Sequence, residues 1–231
     1  MTTSTDSASA DANSDVLRVF QTKEETRSFY DKIAHVYDLL SEHSEQPMRE
    51  AGLKLLDVQP GERVLEIGCG TGHCLVEMAP QAGDEGHVEG IDLSEGMLKQ
   101  AETVVAASDA GGRIHLTQGD AEHMPFEDDS FDAVFTSFTL ELFDNPDIPL
   151  VLAEIRRVLK PGGRLCVVSI SKEGSPGLVL QAFEWTHKHF PNLMDCRPIH
   201  VRKSLEQSGF QIATTRLEQM WVPVEIVLGI A

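Results

Sequence analysis

Three acidic residues stand at the ends of short apolar segments: Glu66 in VLEI, Asp92 in GID and Asp120 in QGDA. Glycines Gly68, Gly70 and Gly72 follow the first of them. Glycines at that place let backbone approach a ligand closely. An acid at a strand tip can accept both hydroxyls of a ribose, and a further strand-tip carboxylate can accept an adenine amino group. The glycine spacing argues against the commonest nucleotide loops. A dinucleotide fingerprint would place its third glycine at position 73, which is His73, and no Gly-Lys-Ser/Thr follows as a phosphate loop requires. The loop therefore carries no evident device for phosphate. Glu66, just ahead of it, suits a cationic group such as an α-amine. Asp92, 20 residues past Gly72, fits NAD and other adenosine cofactors equally when taken alone.

Other polar side chains are candidates for work on a second substrate: Tyr30, His35 and Tyr37 near the N-terminus, Glu141 in mid-chain, and His187, His189 and Arg197 in the tail. Tyr30 and Tyr37 lie seven apart, on one helix face that either packs on the core or covers a site. His35 reads equally as a surface helix residue. Arg197 can bind an anionic group or pair with Asp195. His187 and His189 with Cys196 match no common structural zinc spacing, so no metal is expected. Asp132 reads as a residue that caps or orients a strand start.

These residues need elements to hold them. Thr22 and Glu25 form a capping box before a helix that carries Phe29, Ile33, Val36, Tyr37 and Leu40 at helical spacing. A second helix is predicted over about Met48–Leu56. Strands are predicted at Arg63–Ile67, His87–Ile91, Arg113–Thr117, Phe131–Ser137 and Arg164–Ile170. Helices alternate with them: His73–Met78 closed by Pro80, one capped by Ser94, and one running to Leu159 with Asn145 as cap and Pro146 in its first turn. This alternation predicts a parallel sheet covered on both faces, with strand-tip acids along one edge. The tail predicts helices at Leu178–Phe190 and Ile199–Ser208. Strands at Phe210–Leu217 and Met220–Leu228 follow, antiparallel because they are too close in sequence for a crossover.

The 231 residues carry a net charge of −18, which repels phosphate backbones, so nucleic acid is not expected as a partner. The four cysteines form no CxxC pair, which reads as reduced thiols and a cytoplasmic location. No apolar run approaches the roughly 20 residues that span a bilayer. The start, MTTSTDSASADANSD, has no basic or apolar signal region and reads as disordered.

Four motifs in register make the reading specific. LEIGCGTG, GIDLSEGML, GDAEHMPFEDDSFDAV and EIRRVLKPGGRL resemble those of class I S-adenosylmethionine-dependent methyltransferases, most of all the ubiquinone/menaquinone-biosynthesis C-methyltransferases. FYDKIAHVYDLL resembles that group's first helix. The likeness is strong over about residues 25–170 and weak beyond 171. It implies an α/β, Rossmann-like, mostly parallel seven-stranded sheet with helices on both faces, a C-terminal antiparallel hairpin and an N-terminal helical lid. The division that follows is a tail over 1–20 and one methyltransferase domain over 21–231. Within it, 21–58 form the lid, 59–170 the cofactor core and 171–231 the acceptor side.

The resemblance also implies S-adenosyl-L-methionine as cofactor. Glu66, Gly68, Cys69, Gly70, Thr71 and Ser137 would lie at its methionine half, and Asp92 at its ribose. Asp120, Ala121 and Glu122 would lie at its adenine, between apolar walls Leu93 and Met97. Many quinone enzymes of the group have Asn where this chain has Asp120. The implied partner is a small, partly apolar acceptor, a quinone precursor in the first instance. A phospholipid head group or another small N- or O-acceptor is the alternative, with peripheral membrane contact if the acceptor is a lipid. Two other classes stay open: a non-catalytic S-adenosylmethionine-binding regulator and an NAD-dependent oxidoreductase, the latter disfavoured by His73 and Asp120.

Overall fold

The computed structural model of the chain describes residues 12–173, 185–186 and 196–231, and the side chains of all of these except 36–43. Seven strands, β1 (Arg63–Ile67), β2 (His87–Asp92), β3 (Ile114–Gln118), β4 (Phe131–Ser137), β5 (Leu159–Ile170), β6 (Gln211–Gln219) and β7 (Pro223–Ile230), form one sheet. Its order is β3-β2-β1-β4-β5-β7-β6. The first five strands pair in parallel, whereas β7 runs antiparallel to both β5 and β6. The mostly parallel Rossmann-like sheet with a C-terminal hairpin is thus the observed architecture.

Strand alternation sends side chains to two cores. Leu65, Ile67, Val134, Leu165 and Val167 join Ile148, Val151, Leu152 and Ile155 of α4 (Ile148–Val158) and Val201 and Leu205 of α5 (Val201–Gln207). Val64, Ala133, Phe135, Cys166 and Val168 face the other way. They meet Leu53 and Leu56 of α1 (Lys23–Leu56), Leu75 and Met78 of α2 (His73–Ala82) and Leu98 of α3 (Glu95–Ala106). Both faces of the strands are buried, which is why they read as continuous apolar runs. Strand β1 lies between β2 and β4, so the chain leaves it in opposite directions on the two sides. Such a reversal opens a crevice at the carboxyl ends of the strands.

Several boundaries differ from the sequence reading. The two N-terminal helices are one, with Pro47 inside it. A proline there removes one hydrogen bond, but buried Ala34, Leu53 and Leu56 anchor both sides of the break. The Thr22–Glu25 capping box is formed as expected. Helix α2 likewise runs through Pro80 to Ala82. Asn145 does not cap α4, whose cap position is Asp147. The Asn145 amide instead donates to the carbonyls of Asn13 and Val16. Strand β5 starts at Leu159, ahead of the Pro-Gly-Gly turn, because Leu159 pairs with Phe131 before the register shifts to Ala133–Arg164. The hairpin bend falls at Met220–Val222, just past Gln219. Of the helix expected at Leu178–Phe190, only Trp185 and Thr186 are described, and both are helical.

Composition assigned 1–20 to a disordered tail. Residues 12–20 instead form a strap with Asn13, Val16 and Val19 buried; residues 1–11 lie outside the described ones. Arg18 is paired with Asp144, and the Asn13 side-chain oxygen accepts from the His200 amide. Polar residues hold the strap down, so its polar composition concealed it. No described helix is long and apolar enough to cross a membrane.

Candidate active site

The crevice between β1 and β4 holds a cavity of about 1260 Å³, counting its open mouth. Its floor is the turn after β1. Gly68, Gly70 and Gly72 all have positive φ, at 65°, 52° and 84°. At Gly68 a Cβ atom would stand 2.3 Å from Thr139 Oγ1, so the turn can form there only with glycine. The amides of Gly68 and Cys69 both donate to the carbonyl of Ile91, which locks the turn onto β2.

Asp92 sits at the tip of β2 and orders two segments at once. One carboxylate oxygen accepts from the Gly70 amide and the other from the Ser94 amide, each at 2.8 Å. Burial pushes its pKa up, and these backbone donors hold it down. Each oxygen keeps a second lone pair. Ser94 caps α3 by accepting from the Met97 amide, and Asp31 of α1 accepts from Ser94 Oγ and the Gly96 amide. Leu93 and Met97 line the cavity beside them.

Asp120, Ala121 and Glu122, after β3, also line it. Asp120 accepts from the Glu122 amide, and Lys23 bridges the Asp120 and Glu122 carboxylates. Nothing in the sequence pattern pointed to Lys23, because the contact joins residues 97 apart. Ser137 and Thr71 line the cavity as expected.

Glu66 is buried in the cavity wall, 2% exposed, and its Oε2 has no hydrogen-bond partner. Burial raises its pKa to about 8, opposed by the Cys74 thiol and the Arg49 charge. The carboxyl is therefore mostly protonated at neutral pH. A buried acceptor without a partner, beside a glycine turn and across from a strand-tip Asp, fits the α-amine of S-adenosylmethionine.

The remaining candidates divide. Tyr30 lines the cavity. His35 is exposed and is not in the cavity wall. Glu141 is fully buried in the short 3-10 turn Leu140–Leu142, behind the wall rather than in it. It accepts from the Ile170 amide, and burial raises its pKa to about 7. It was expected to meet the acceptor because it follows β4, but its side chain turns to β5. Arg197 does not face an acceptor either: it is fully buried and donates to the carbonyls of Leu17 and Glu141 and to Asn145 Oδ1. The Tyr37 side chain, His187, His189 and Asp195 lie outside the described residues. Asp132 accepts from the Arg63 amide and pairs with Lys160, orienting the start of β1. Glu45 and Arg49 of α1 line the cavity without having been singled out; Glu45 lies in the gap left between the two predicted helices, and Arg49 near the start of the second.

The raised pKa of Glu66 gives a pH dependence with a definite sign. An ammonium group arriving at Glu66 favours the ionised form, so binding must release a proton between about pH 6 and 8. The affinity for S-adenosylhomocysteine is expected to rise with pH across that window. Calorimetry at pH 7 in buffers of different ionisation enthalpy should show proton release; none, or uptake, would contradict the assignment. The unliganded chain has the opposite trend. Glu66, Glu141 and Glu45, the last two near 7, hold protons in the fold that the unfolded chain gives up at about pH 4.5. Their protons stabilise the fold at the acid side of this window, and that stability is lost as pH rises through about 7–8.

Comparison with known proteins agrees with this geometry. A methyltransferase-domain family profile matches residues 64–163. The demethylmenaquinone methyltransferase of Listeria monocytogenes serotype 4a is 40% identical over 162 residues, covering 68% of this chain and 67% of that one. The enzyme of the same name from Lactobacillus johnsonii is 33% identical over 205 residues, 86% and 83% of the two chains. A methyltransferase crystal structure from Aquifex aeolicus shares the fold, with a TM-score of 0.65 at 21% identity over 85% of this chain and 97% of that one. With its glycine turn, strand-tip acids and relatives of this kind, the chain belongs to the class I S-adenosylmethionine-dependent methyltransferases, close to the menaquinone group, and S-adenosylmethionine is its methyl donor.

Proposed function

We propose that the acceptor is a quinone precursor of the demethylmenaquinone kind, methylated on a ring carbon. The observation that carries this is the 40% identity to demethylmenaquinone methyltransferases over two thirds of both chains. The cavity wall agrees with an aromatic guest, since Phe138, Leu142 and Phe143 from the segment after β4 contribute to it.

In this reading Glu66 and the glycine turn take the methionine half of the cofactor, with Thr71 and Ser137 nearby. Asp92 accepts from the ribose hydroxyls through its spare lone pairs. Asp120, Ala121 and Glu122 flank the adenine, and Leu93 and Met97 wall it. Bound S-adenosylmethionine supplies an activated methyl on a sulfonium, so the protein's part is alignment and exclusion of water. Val19 of the strap and Tyr30 of α1 help close the cavity. A hydroquinone-like ring becomes a carbon nucleophile when its hydroxyl loses a proton. The carboxyl of Glu45 lines the cavity with a pKa raised by burial to about 7, which suits a proton acceptor at neutral pH.

The test is methyl transfer by the purified chain from labelled S-adenosylmethionine to a short-chain demethylmenaquinol, with product identified by mass spectrometry. Addition of one methyl to a ring carbon is expected. Transfer to phosphatidylethanolamine but not to the quinol would replace this reading with the head-group alternative.

A further inference from the structure

Among the described residues, three that are not glycine have positive φ: Asp57 at 53°, Asp129 at 52° and Phe138 at 51°. Aspartate enters this left-handed region readily, whereas for a bulky side chain it costs free energy. Asp57 ends α1, and Asp129 lies in the turn before β4. Phe138 stands in the cavity wall, one residue past the tip of β4. Strain of this kind persists where the surroundings fix it, and it gathers at functional sites.

The contacts that fix it are explicit. The Phe138 amide donates to the Val168 carbonyl at 2.8 Å, which extends the β4–β5 ladder by one bond. Thr139 stands where a Cβ on Gly68 would be, and its hydroxyl donates to the Ser137 carbonyl. The sharp bend therefore falls on residue 138, whose amide is tied to β5 and whose next neighbour is seated on the turn after β1. The half-buried Phe138 packs against the small apolar cluster of Ile170 and Val222 and also lines the cavity.

Strand order gives this bend its meaning. Asp92 and Asp120 mark the adenosine side at the ends of β2 and β3, and β1 separates them from β4. A cofactor laid from β3 to β1 presents its sulfonium methyl toward the turn after β4. We propose that Phe138 is the platform on which the acceptor's ring stacks while its carbon faces that methyl. Phe138 is then a specificity-determining residue for planar acceptors, and the strained bend fixes the height of the ring above the glycine turn. The identity of the ring rests on the quinone reading, whereas the platform requires only a planar acceptor. The alternative is a packing role alone, closing the cluster of Ile170 and Val222.

The test is calorimetry on the full chain saturated with S-adenosylhomocysteine, with menadione as the planar probe. Phe138→Leu keeps an apolar side chain and loses the flat face. It should bind menadione about 3- to 10-fold more weakly, as expected for one stacked ring pair, and bind S-adenosylhomocysteine as the unaltered chain does. Phe138→Tyr keeps the ring and should restore menadione binding. If Phe138→Leu does not fold, Phe138→Gly, which suits a positive φ, carries the test. Unchanged menadione affinity on loss of the ring, or no binding to the unaltered chain, would overturn the proposal. Equal weakening of menadione and S-adenosylhomocysteine would overturn it in favour of packing alone. A chain that binds menadione through Phe138 but transfers no methyl to demethylmenaquinol would remove the quinone reading and support the platform.

Discussion

Replacing Arg197 with methionine is expected to destabilise the chain by about 2–5 kcal/mol, combining relief of a buried charge with the loss of three hydrogen bonds, two of them buried. The guanidinium is fully buried and, among the described residues, no carboxylate pairs with it. Burial pulls its pKa down to about 10, so it is still charged at neutral pH. Its partners are the carbonyl of Leu17 in the strap, the carbonyl of Glu141 and the side chain of Asn145, which itself holds two strap carbonyls. Methionine fills similar space and removes the cost of burying a charge. It also leaves two buried acceptors and one half-buried one without donors, at about 1–3 kcal/mol for each buried one. The second effect is the larger. At roughly 2–4 °C per kcal/mol for a chain of this size, the thermal midpoint should fall by about 5–20 °C. Trypsin should cut faster at Arg18 as the strap loosens. A midpoint within about 2 °C of the unaltered chain would show that Arg197 does not hold the strap.

The second large effect is on cofactor affinity. Asp92→Asn is expected to weaken S-adenosylhomocysteine binding by about 2–4 kcal/mol, since hydrogen bonds to a charged acceptor contribute about 1.5–3 kcal/mol each. The isosteric amide keeps only one acceptor oxygen, so it cannot serve the Gly70 and Ser94 amides and two ribose hydroxyls together. One backbone donor then faces an NH2 group, and the turn after β1 loosens where it meets β2. Calorimetry gives the affinity and thermal unfolding without ligand gives the structural share. An Asn variant that binds within twofold of the unaltered chain would remove Asp92 from the ribose.

The residues legible in the sequence share one physical property. Gly68, Gly70, Gly72, Asp92 and Asp120 sit at ends of apolar strands, and a parallel sheet brings strand ends to one edge whatever the rest of the chain does. The residues that escaped share another. Lys23, Glu45 and Arg49 are ordinary charged positions on a helix, and only the packing of α1 decides which of them turn inward. Glu141 failed in the opposite direction: its place after β4 was right, but its side chain is buried toward β5. Arg197 has the same lesson. A tail arginine beside an aspartate looked like a surface ion pair or an anion site, and the strap that buries it was hidden by its polar composition. The two N-terminal helices read separately are one, carried through Pro47, because the packing that holds them together joins residues distant in sequence and leaves no local signal.

Asp31 and α3 carry a consequence for how the molecule breathes. The first turn of α3 leaves amide protons that the helix itself cannot satisfy. Ser94 supplies one acceptor from within, at the Met97 amide, but the acceptor for the Gly96 amide comes from Asp31, 65 residues earlier and on another helix. Deuterium entering at Gly96 would therefore count the moments when α1 lifts, not the fraying of α3. A single backbone amide beside the cavity is a clock for the movement of α1 away from α3.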